Sequence, residues 1–168
     1  MQYDPIKRSL GKFFNRTPGL RKLFYRLLDL LLVRSWHIRR ELTQLKKAGF
    51  APEVIADAGS GFGQYVYYLS KKYPSSRIRG LDIKQEQVDD CNAYFSRIGG
   101  AGRISFDYAD LTALKIQDTF HLILCVDVME HIEEDRVVLK HFYKGLTAGG
   151  VLLISTPSDQ GGSDVHHE

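Results

Sequence analysis

The chain has 168 residues, of which 43% are hydrophobic and 26% are charged, a composition typical of one globular domain. Two cysteines without metal-ligand spacing exclude a disulfide scaffold and favour a reducing, cytoplasmic location. No apolar run is long enough to suggest a membrane span. The net charge is +3, but residues 1–50 carry twelve basic and three acidic residues, whereas residues 51–168 carry eleven basic and seventeen acidic residues. A basic segment therefore precedes an acidic domain.

Two helices are predicted in the first fifty residues. Thr17 and Pro18 can cap and open the first, whose apolar face consists of Leu20, Leu23, Phe24, Leu27, Leu28 and Leu31. Ser35 is predicted to cap the second, which ends near Gly49. We expect residues 1–50 to form a basic, amphipathic cap over the functional site. Docking on an anionic membrane is the first alternative, and nucleic-acid contact is disfavoured because no binding motif for it is present.

From residue 53 onward, predicted strands alternate with predicted helices. The strands lie at 53–58, 77–82, 103–108, 119–126 and 150–156, and the helices lie at 63–72, 84–98 and 132–146. The fourth and fifth strands are almost wholly apolar, as expected for strands covered on both sides. This alternation predicts an α/β fold with an open, mainly parallel sheet and helices on both faces.

A glycine-rich motif joins the first strand to the helix after it. Asp57 is followed by Gly59, Gly61 and Gly63, which permit a tight turn and the close approach of a ligand. A dinucleotide-binding fingerprint would need a third glycine at position 64, where this chain has Gln64. An acid before the loop would repel a pyrophosphate, but it suits a ligand with a cationic amine. A nicotinamide-dependent oxidoreductase is therefore disfavoured.

Acidic residues follow the other strands, at the edge where parallel sheets bind ligands. Asp82 ends the second strand, where an acid can accept hydrogen bonds from ribose hydroxyls. Asp110 follows the third strand and is placed to accept from an adenine amino group. Either acid taken alone could instead cap a helix. The fourth strand leads into a turn with Asp127, Glu130 and His131.

In this order and spacing, the motifs resemble the class I, Rossmann-like S-adenosylmethionine-dependent methyltransferases of the ubiquinone-biosynthesis and small-molecule types. The resemblance covers roughly residues 50–158. It implies an enzyme whose cofactor is S-adenosylmethionine, with a small or lipophilic acceptor and a cofactor-binding core at 51–158. It also implies that the cofactor contacts Asp57, Gly59, Ser60, Gly61, Gly63, Asp82, Ile83, Asp110, Leu111, Val126 and Asp127. Arg39 and Arg40 could reach the cofactor carboxylate, although a solvated helix face is the preferred interpretation.

The turn after the fourth strand supplies the candidate catalytic residues, Asp127, Glu130 and His131. Methyl transfer depends mainly on positioning, but an oxygen or nitrogen acceptor can also need a base. A similar turn holds a divalent ion in some ubiquinone-pathway and small-RNA methyltransferases. Mg²⁺ at these three residues, with His166 and His167 as further ligands, is therefore a lesser alternative to a site without metal.

The chain departs from the resembled family after the fifth strand. That family has two further strands, whereas residues 159–168 form a polar tail. We expect these strands to be missing, so that the chain is a piece of a longer protein or the exposed fifth strand is covered, for example by a second copy. A cofactor-binding module without catalysis, acting as a regulator or partner, is the alternative function.

Overall fold

The computed structural model describes residues 18–31, 33–116 and 119–157, without the side chains of residues 29–33. In chain order, the elements are α1 (Pro18–Leu31), α2 (Val33–Lys47), β1 (Val54–Ala58), α3 (Gln64–Lys72), β2 (Arg77–Asp82), α4 (Gln85–Arg97), β3 (Ile104–Tyr108), a 3₁₀ turn (Leu111–Ala113), β4 (Phe120–Val126), a second 3₁₀ turn (Met129–His131), α5 (Asp135–Gly145) and β5 (Leu146–Ser155).

The strands form one parallel sheet in the order β3-β2-β1-β4-β5. β1 lies at the centre, and its last residue, Ala58, pairs with Leu81 on one side and Cys125 on the other. The strand order reverses at β1, because β2 and β3 extend the sheet in one direction and β4 and β5 in the other. In parallel sheets, the crevice beyond such a switch point is the usual ligand site. The predicted open, parallel α/β fold is confirmed.

The core lies on both faces of the sheet. Successive residues of β1 alternate between the faces, so that Ile55 packs in one apolar cluster and Ala56 in the other. The first cluster joins the sheet to α1, α2, α3 and α4 through residues such as Tyr25 and Leu69. The second joins it to α5, where Phe142 is fully buried. The predicted placement of helices on both faces is therefore confirmed.

The two helices before β1 pack on the first of these clusters. Tyr25 of α1 and Leu42 of α2 are buried there, whereas Leu23 and Leu27 on the outer side of α1 are about half exposed. Within the part of the chain that the structure describes, no helix is long and apolar enough to cross a membrane. The predicted apolar face of α1 is therefore partly wrong, because the buried side of the helix carries Arg21 and Tyr25 while Leu23 and Leu27 of the apolar pattern lie on the outer side.

Three predicted boundaries are wrong. Ser35 does not cap α2, because the helix begins at Val33 and the Ser35 hydroxyl is buried 3.3 Å from the hydroxyl of Tyr65. α5 begins at Asp135 instead of 132, since a 3₁₀ turn comes first. β5 begins at Leu146 instead of 150, because its pairing with β4 contains an irregularity between Phe120 and Leu122. The polar tail, 159–168, lies outside the described residues.

Candidate functional site

The glycine loop follows β1 at the switch point of the sheet. Gly59, Gly61 and Gly63 have φ values of 76°, 50° and 77°, in the left-handed region that side chains disfavour. A Cβ atom on Gly59 would lie 2.2 Å from Val128, and one on Gly63 would lie 3.0 Å from the ring of Phe95. A Cβ atom on Gly61 would meet nothing within 4 Å. The outer two glycines are thus required by packing, whereas the middle one faces open space.

Backbone hydrogen bonds fix this loop against β2. The N–H groups of Gly59 and Ser60 both donate to the carbonyl oxygen of Leu81, at 2.8 and 3.0 Å. The Gly61 N–H donates to Asp82 Oδ2 at 2.8 Å, and the Lys84 N–H donates to Asp82 Oδ1 at 2.9 Å. Each carboxylate oxygen can accept one more hydrogen bond. The structure therefore brings the predicted acid of β2 into direct contact with the glycine loop.

Asp57 lies beneath the loop in a desolvated position. Its side chain accepts a hydrogen bond from the Val66 N–H at the start of α3, but its Oδ2 is buried without a partner among the described residues. Burial, reinforced by the negative charge of Asp82, raises the pKa of Asp57 to about 7. The hydroxyl of Ser60 is likewise buried and lacks a partner in the described part of the chain. Two buried polar groups at the start of the loop thus lack a partner among the described residues, which is rare in folded proteins.

Asp110 caps the 3₁₀ turn that follows β3. Its Oδ1 accepts from the backbone N–H of Thr112 at 2.9 Å and from the Thr112 hydroxyl at 2.7 Å. The Thr112 hydroxyl, together with the backbone N–H, lowers the pKa of this carboxyl. Asp110 thus acts as the N-cap of this turn, which is the alternative that the sequence left open. A contact of Asp110 with an adenine stays a prediction. Leu111, the next residue, is buried in the second apolar cluster.

Two large apolar side chains lie exposed at the same edge of the sheet. Ile83 is 56% exposed immediately after β2, and Tyr108 is 57% exposed at the end of β3, in register with Asp82. Ile83 was predicted as a binding residue, whereas Tyr108 was not. Tyr108 could have been found from the sequence, because it ends the third strand and the neighbouring second strand ends in Asp82. Exposed apolar surface next to a polar loop is typical of a ligand site.

Asp127 follows β4 with a strained backbone. Its φ is 56°, an uncommon conformation for a residue other than glycine, and its N–H donates to the carbonyl of Ser155 at 2.8 Å. Its carboxylate forms an ion pair with Arg34 of α2. Val126, just before it, is largely buried. The sequence did not indicate Arg34, since the contact joins two distant segments.

Arg39 was one of the two arginines that the sequence suggested for contact with the cofactor carboxylate. Its guanidinium lies 4.4 Å from the ring centre of Tyr68.

The other two candidate catalytic residues lie in the 3₁₀ turn after β4. Glu130 and His131 are exposed, and Glu130 Oε2 accepts a hydrogen bond from the Thr156 hydroxyl at 3.3 Å. Among the described residues, no three His, Cys, Asp or Glu side chains are grouped to hold a metal ion. The alternative of Mg²⁺ at the three residues therefore gains no support. His166 and His167 lie outside the described residues.

Two surface cavities lie elsewhere. One, of about 500 Å³, runs along α2 and is lined by residues that include Trp36 and Arg40. The other, of about 410 Å³, lies near the amino ends of the strands and is lined by residues that include Val54 and Arg77. Neither cavity includes a residue of the carboxyl edge. The candidate site therefore rests on the glycine loop and the strand-end acids.

Known proteins resemble this chain in sequence. Residues 55–150 match the family described as "Methyltransferase domain". A trans-aconitate 2-methyltransferase of Streptomyces avermitilis is 29% identical over 64% of this chain and 40% of its own length. A phosphoethanolamine N-methyltransferase of Triticum aestivum is 30% identical over 89% of this chain and 26% of its own length. The chain thus spans less than half the length of these curated relatives.

Solved structures share the fold. A Methanococcus maripaludis protein described as an S-adenosyl-L-methionine-dependent methyltransferase has a TM-score of 0.66 at 21% identity, over 83% of this chain and 63% of its own. Coclaurine N-methyltransferase, solved with N-methylheliamine and S-adenosylhomocysteine bound, has a TM-score of 0.59 at 18% identity, over 68% of this chain and 34% of its own. The family match covers more than half of the 168 residues and agrees with the fold and the glycine loop. The chain belongs to the class I S-adenosylmethionine-dependent methyltransferases.

Proposed function

We propose that the protein binds S-adenosylmethionine at the carboxyl edge of its sheet and transfers the methyl group to a small-molecule acceptor. The hydrogen bond from Gly61 to Asp82 carries this proposal, because it joins a glycine loop with open space at its centre to the acid of the next strand. The names of the curated relatives, which include methyltransferases of trans-aconitate and phosphoethanolamine, support a small acceptor. A lipophilic molecule, the other kind of acceptor that the resemblance implies, remains part of this proposal.

The residues at this edge fit the three parts of the cofactor. The loop 59–63 and Asp57 would hold the methionine part, since its cationic amine supplies a donor to the Asp57 oxygen that lacks one. Asp82 would accept from the ribose hydroxyls with its remaining acceptor positions. Ile83 would pack on the adenine, with Asp110 and Leu111 at the edge of that ring.

The transfer itself is expected beside the end of β4. Bound S-adenosylmethionine supplies a methyl carbon that is already electrophilic. The protein has to hold the acceptor atom in line with that carbon and exclude water. Val126 and Asp127 would line this region, and Asp127, Glu130 and His131 are the candidates to remove a proton from an oxygen or nitrogen acceptor. Arg34 would hold the Asp127 side chain in place through their ion pair.

Transfer from methyl-labelled S-adenosylmethionine to the small-molecule fraction of a cell extract tests the proposal. We expect the wild-type protein to label a product and Asp82→Ala to abolish labelling, because the loop and the ribose lose a shared partner. Asp107→Ala is the matched control, since Asp107 is an acid on the adjacent strand whose carboxylate pairs with the partly exposed side chain of Arg79. It is expected to label as the wild type does.

The alternative, a cofactor-binding module without catalysis, predicts a different result. Such a protein would bind S-adenosylhomocysteine but label no product in any fraction. That outcome would contradict the transferase proposal while retaining the cofactor site. Equal labelling by wild type and Asp82→Ala would instead show that the cofactor site is misassigned.

The remaining expectations stay predictions. They are the division into residues 1–50, 51–158 and 159–168, peripheral membrane contact through the first segment, self-association through the edge of β5, and a cytoplasmic location.

A further inference from the structure

An arginine lies in the core-facing side of α1. Arg21 is 2% exposed, whereas its neighbours Lys22 and Arg26 are exposed. Tyr25, one helical turn after Arg21, is also 2% exposed, so both side chains belong to the inner face of the helix. Arginine is almost never fully buried unless it is paired. The groups that the Arg21 guanidinium contacts therefore show which part of the protein α1 keeps in place.

The Arg21 guanidinium donates mainly to neutral groups, and Asp90, whose carbonyl oxygen lies 3.5 Å from Nη1, is the nearby acid among the groups that raise its pKa. The Arg21 Nε donates to the Tyr25 hydroxyl at 2.9 Å, and its Nη2 lies 2.9 Å from both the carbonyl oxygen of Phe62 and the Sγ of Cys91. The charge also lies 4.6 Å from the ring centre of Tyr94. Burial raises the pKa values of Tyr25 and Cys91, so both remain uncharged at neutral pH. A guanidinium held by neutral acceptors binds them with charge-assisted hydrogen bonds.

The Phe62 carbonyl is the point where α1 meets the glycine loop. It accepts from Arg21 at 2.9 Å and from the Tyr25 hydroxyl at 2.5 Å, so both of its acceptor positions are filled by α1. The ring of Phe62 packs edge-on against Phe24 of the same helix, with centroids 5.9 Å apart. Phe62 lies between Gly61 and Gly63, the residues whose backbone forms the proposed cofactor cradle.

We propose that α1 is a fixed wall of the cofactor site, in which Arg21 and Tyr25 position the glycine loop by holding the Phe62 carbonyl. Three glycines leave this loop much conformational freedom, which contacts from outside the loop restrict. The Gly61 N–H then meets Asp82 on the inner side of the loop, while α1 holds the outer side. Arg21 and Tyr25 are positioning residues, since they act through the loop backbone.

Hydrogen exchange of the ligand-free protein gives the first test. The amides of Gly61 and Gly63 are bonded to Asp82 and to the Ser60 carbonyl, so their exchange reports opening of the loop. Tyr25→Phe keeps the ring packing and removes only the hydroxyl. We expect it to speed exchange of these two amides about tenfold, the factor given by loss of roughly one hydrogen bond, with β4 amides unchanged. A variant that merely destabilised the fold would accelerate exchange in β4 as well.

Affinity for S-adenosylhomocysteine gives the second test, which rests on the proposed function. Arg21→Met is expected to weaken binding at least tenfold, Arg21→Lys to restore part of it, and Lys22→Met, an exposed neighbour, to leave it unchanged. If Arg21→Met does not fold, Tyr25→Phe decides the matter. Wild-type loop exchange and affinity in Tyr25→Phe would overturn the inference. A wild-type protein that binds no S-adenosylhomocysteine would overturn the proposed function, while loop exchange would still decide the role of α1.

Discussion

Replacing Asp57 by asparagine should stabilise the ligand-free protein above neutral pH. Asp57 is fully buried, and its pKa is raised from 3.8 to about 7, chiefly by burial. Between these two pH values the unfolded chain has released the proton while the folded chain retains it. Wild-type stability therefore falls as the pH rises through this window and is constant above it. The two pKa values correspond to a loss of about 4 kcal/mol, which asparagine does not incur.

Urea unfolding followed by circular dichroism from pH 4 to pH 8 measures this effect. The variant and the wild type should differ least at pH 4, and the advantage of Asp57→Asn should grow by roughly 3–4 kcal/mol up to pH 8, where it levels off. Asp107→Asn is the control for removing a carboxylate from the sheet, because this acid is about 40% exposed and is not desolvated as Asp57 is. An advantage that is independent of pH, or that shrinks as the pH rises, would refute the argument from burial.

Four further outcomes are expected. Gly80→Ala should lower the free energy of unfolding by about 1–3 kcal/mol in urea titrations, because its Cβ would lie 2.3 Å from the Phe106 ring. Gly61→Ala has no such clash and should cost only about 1 kcal/mol through its positive φ, but it should weaken S-adenosylhomocysteine binding, and unchanged affinity would place the ligand elsewhere. Arg34→Ala should change stability by less than about 1 kcal/mol, since both members of its ion pair are well exposed. Calorimetry at pH 7 in two buffers should detect proton release on ligand binding, because a cationic amine beside Asp57 lowers the pKa of that residue; proton uptake would contradict this role.

The parts of the site that follow from local spacing could be predicted from the sequence. The glycines after β1 and the acid that ends β2 meet because consecutive parallel strands end at the same edge of the sheet. Predicting that Asp82 lies against the glycine loop thus required only the boundaries of the two strands. Asp110 was ambiguous, since a strand-end acid can bind a ligand or cap a turn, and the choice depended on the Thr112 hydroxyl.

The contacts of the first two helices could not be predicted in this way. The apolar pattern of α1 did not indicate its inner face, which carries Arg21 and Tyr25, and no such pattern indicates which loop a helix face meets. Arg21 holds the Phe62 carbonyl across 41 positions, and Arg34 pairs with Asp127 across a still longer separation. Ser35 was misassigned for the same reason, because its hydroxyl makes a tertiary contact instead of a cap.

Calorimetric titration of the wild-type protein with S-adenosylhomocysteine, with NAD as the control ligand, tests whether the glycine loop and Asp82 form the cofactor site. We expect micromolar binding of S-adenosylhomocysteine, a free energy of about −8 kcal/mol, and no signal with NAD. Binding of NAD, or of neither ligand, would contradict the assignment of the glycine loop and Asp82 as an S-adenosylmethionine site.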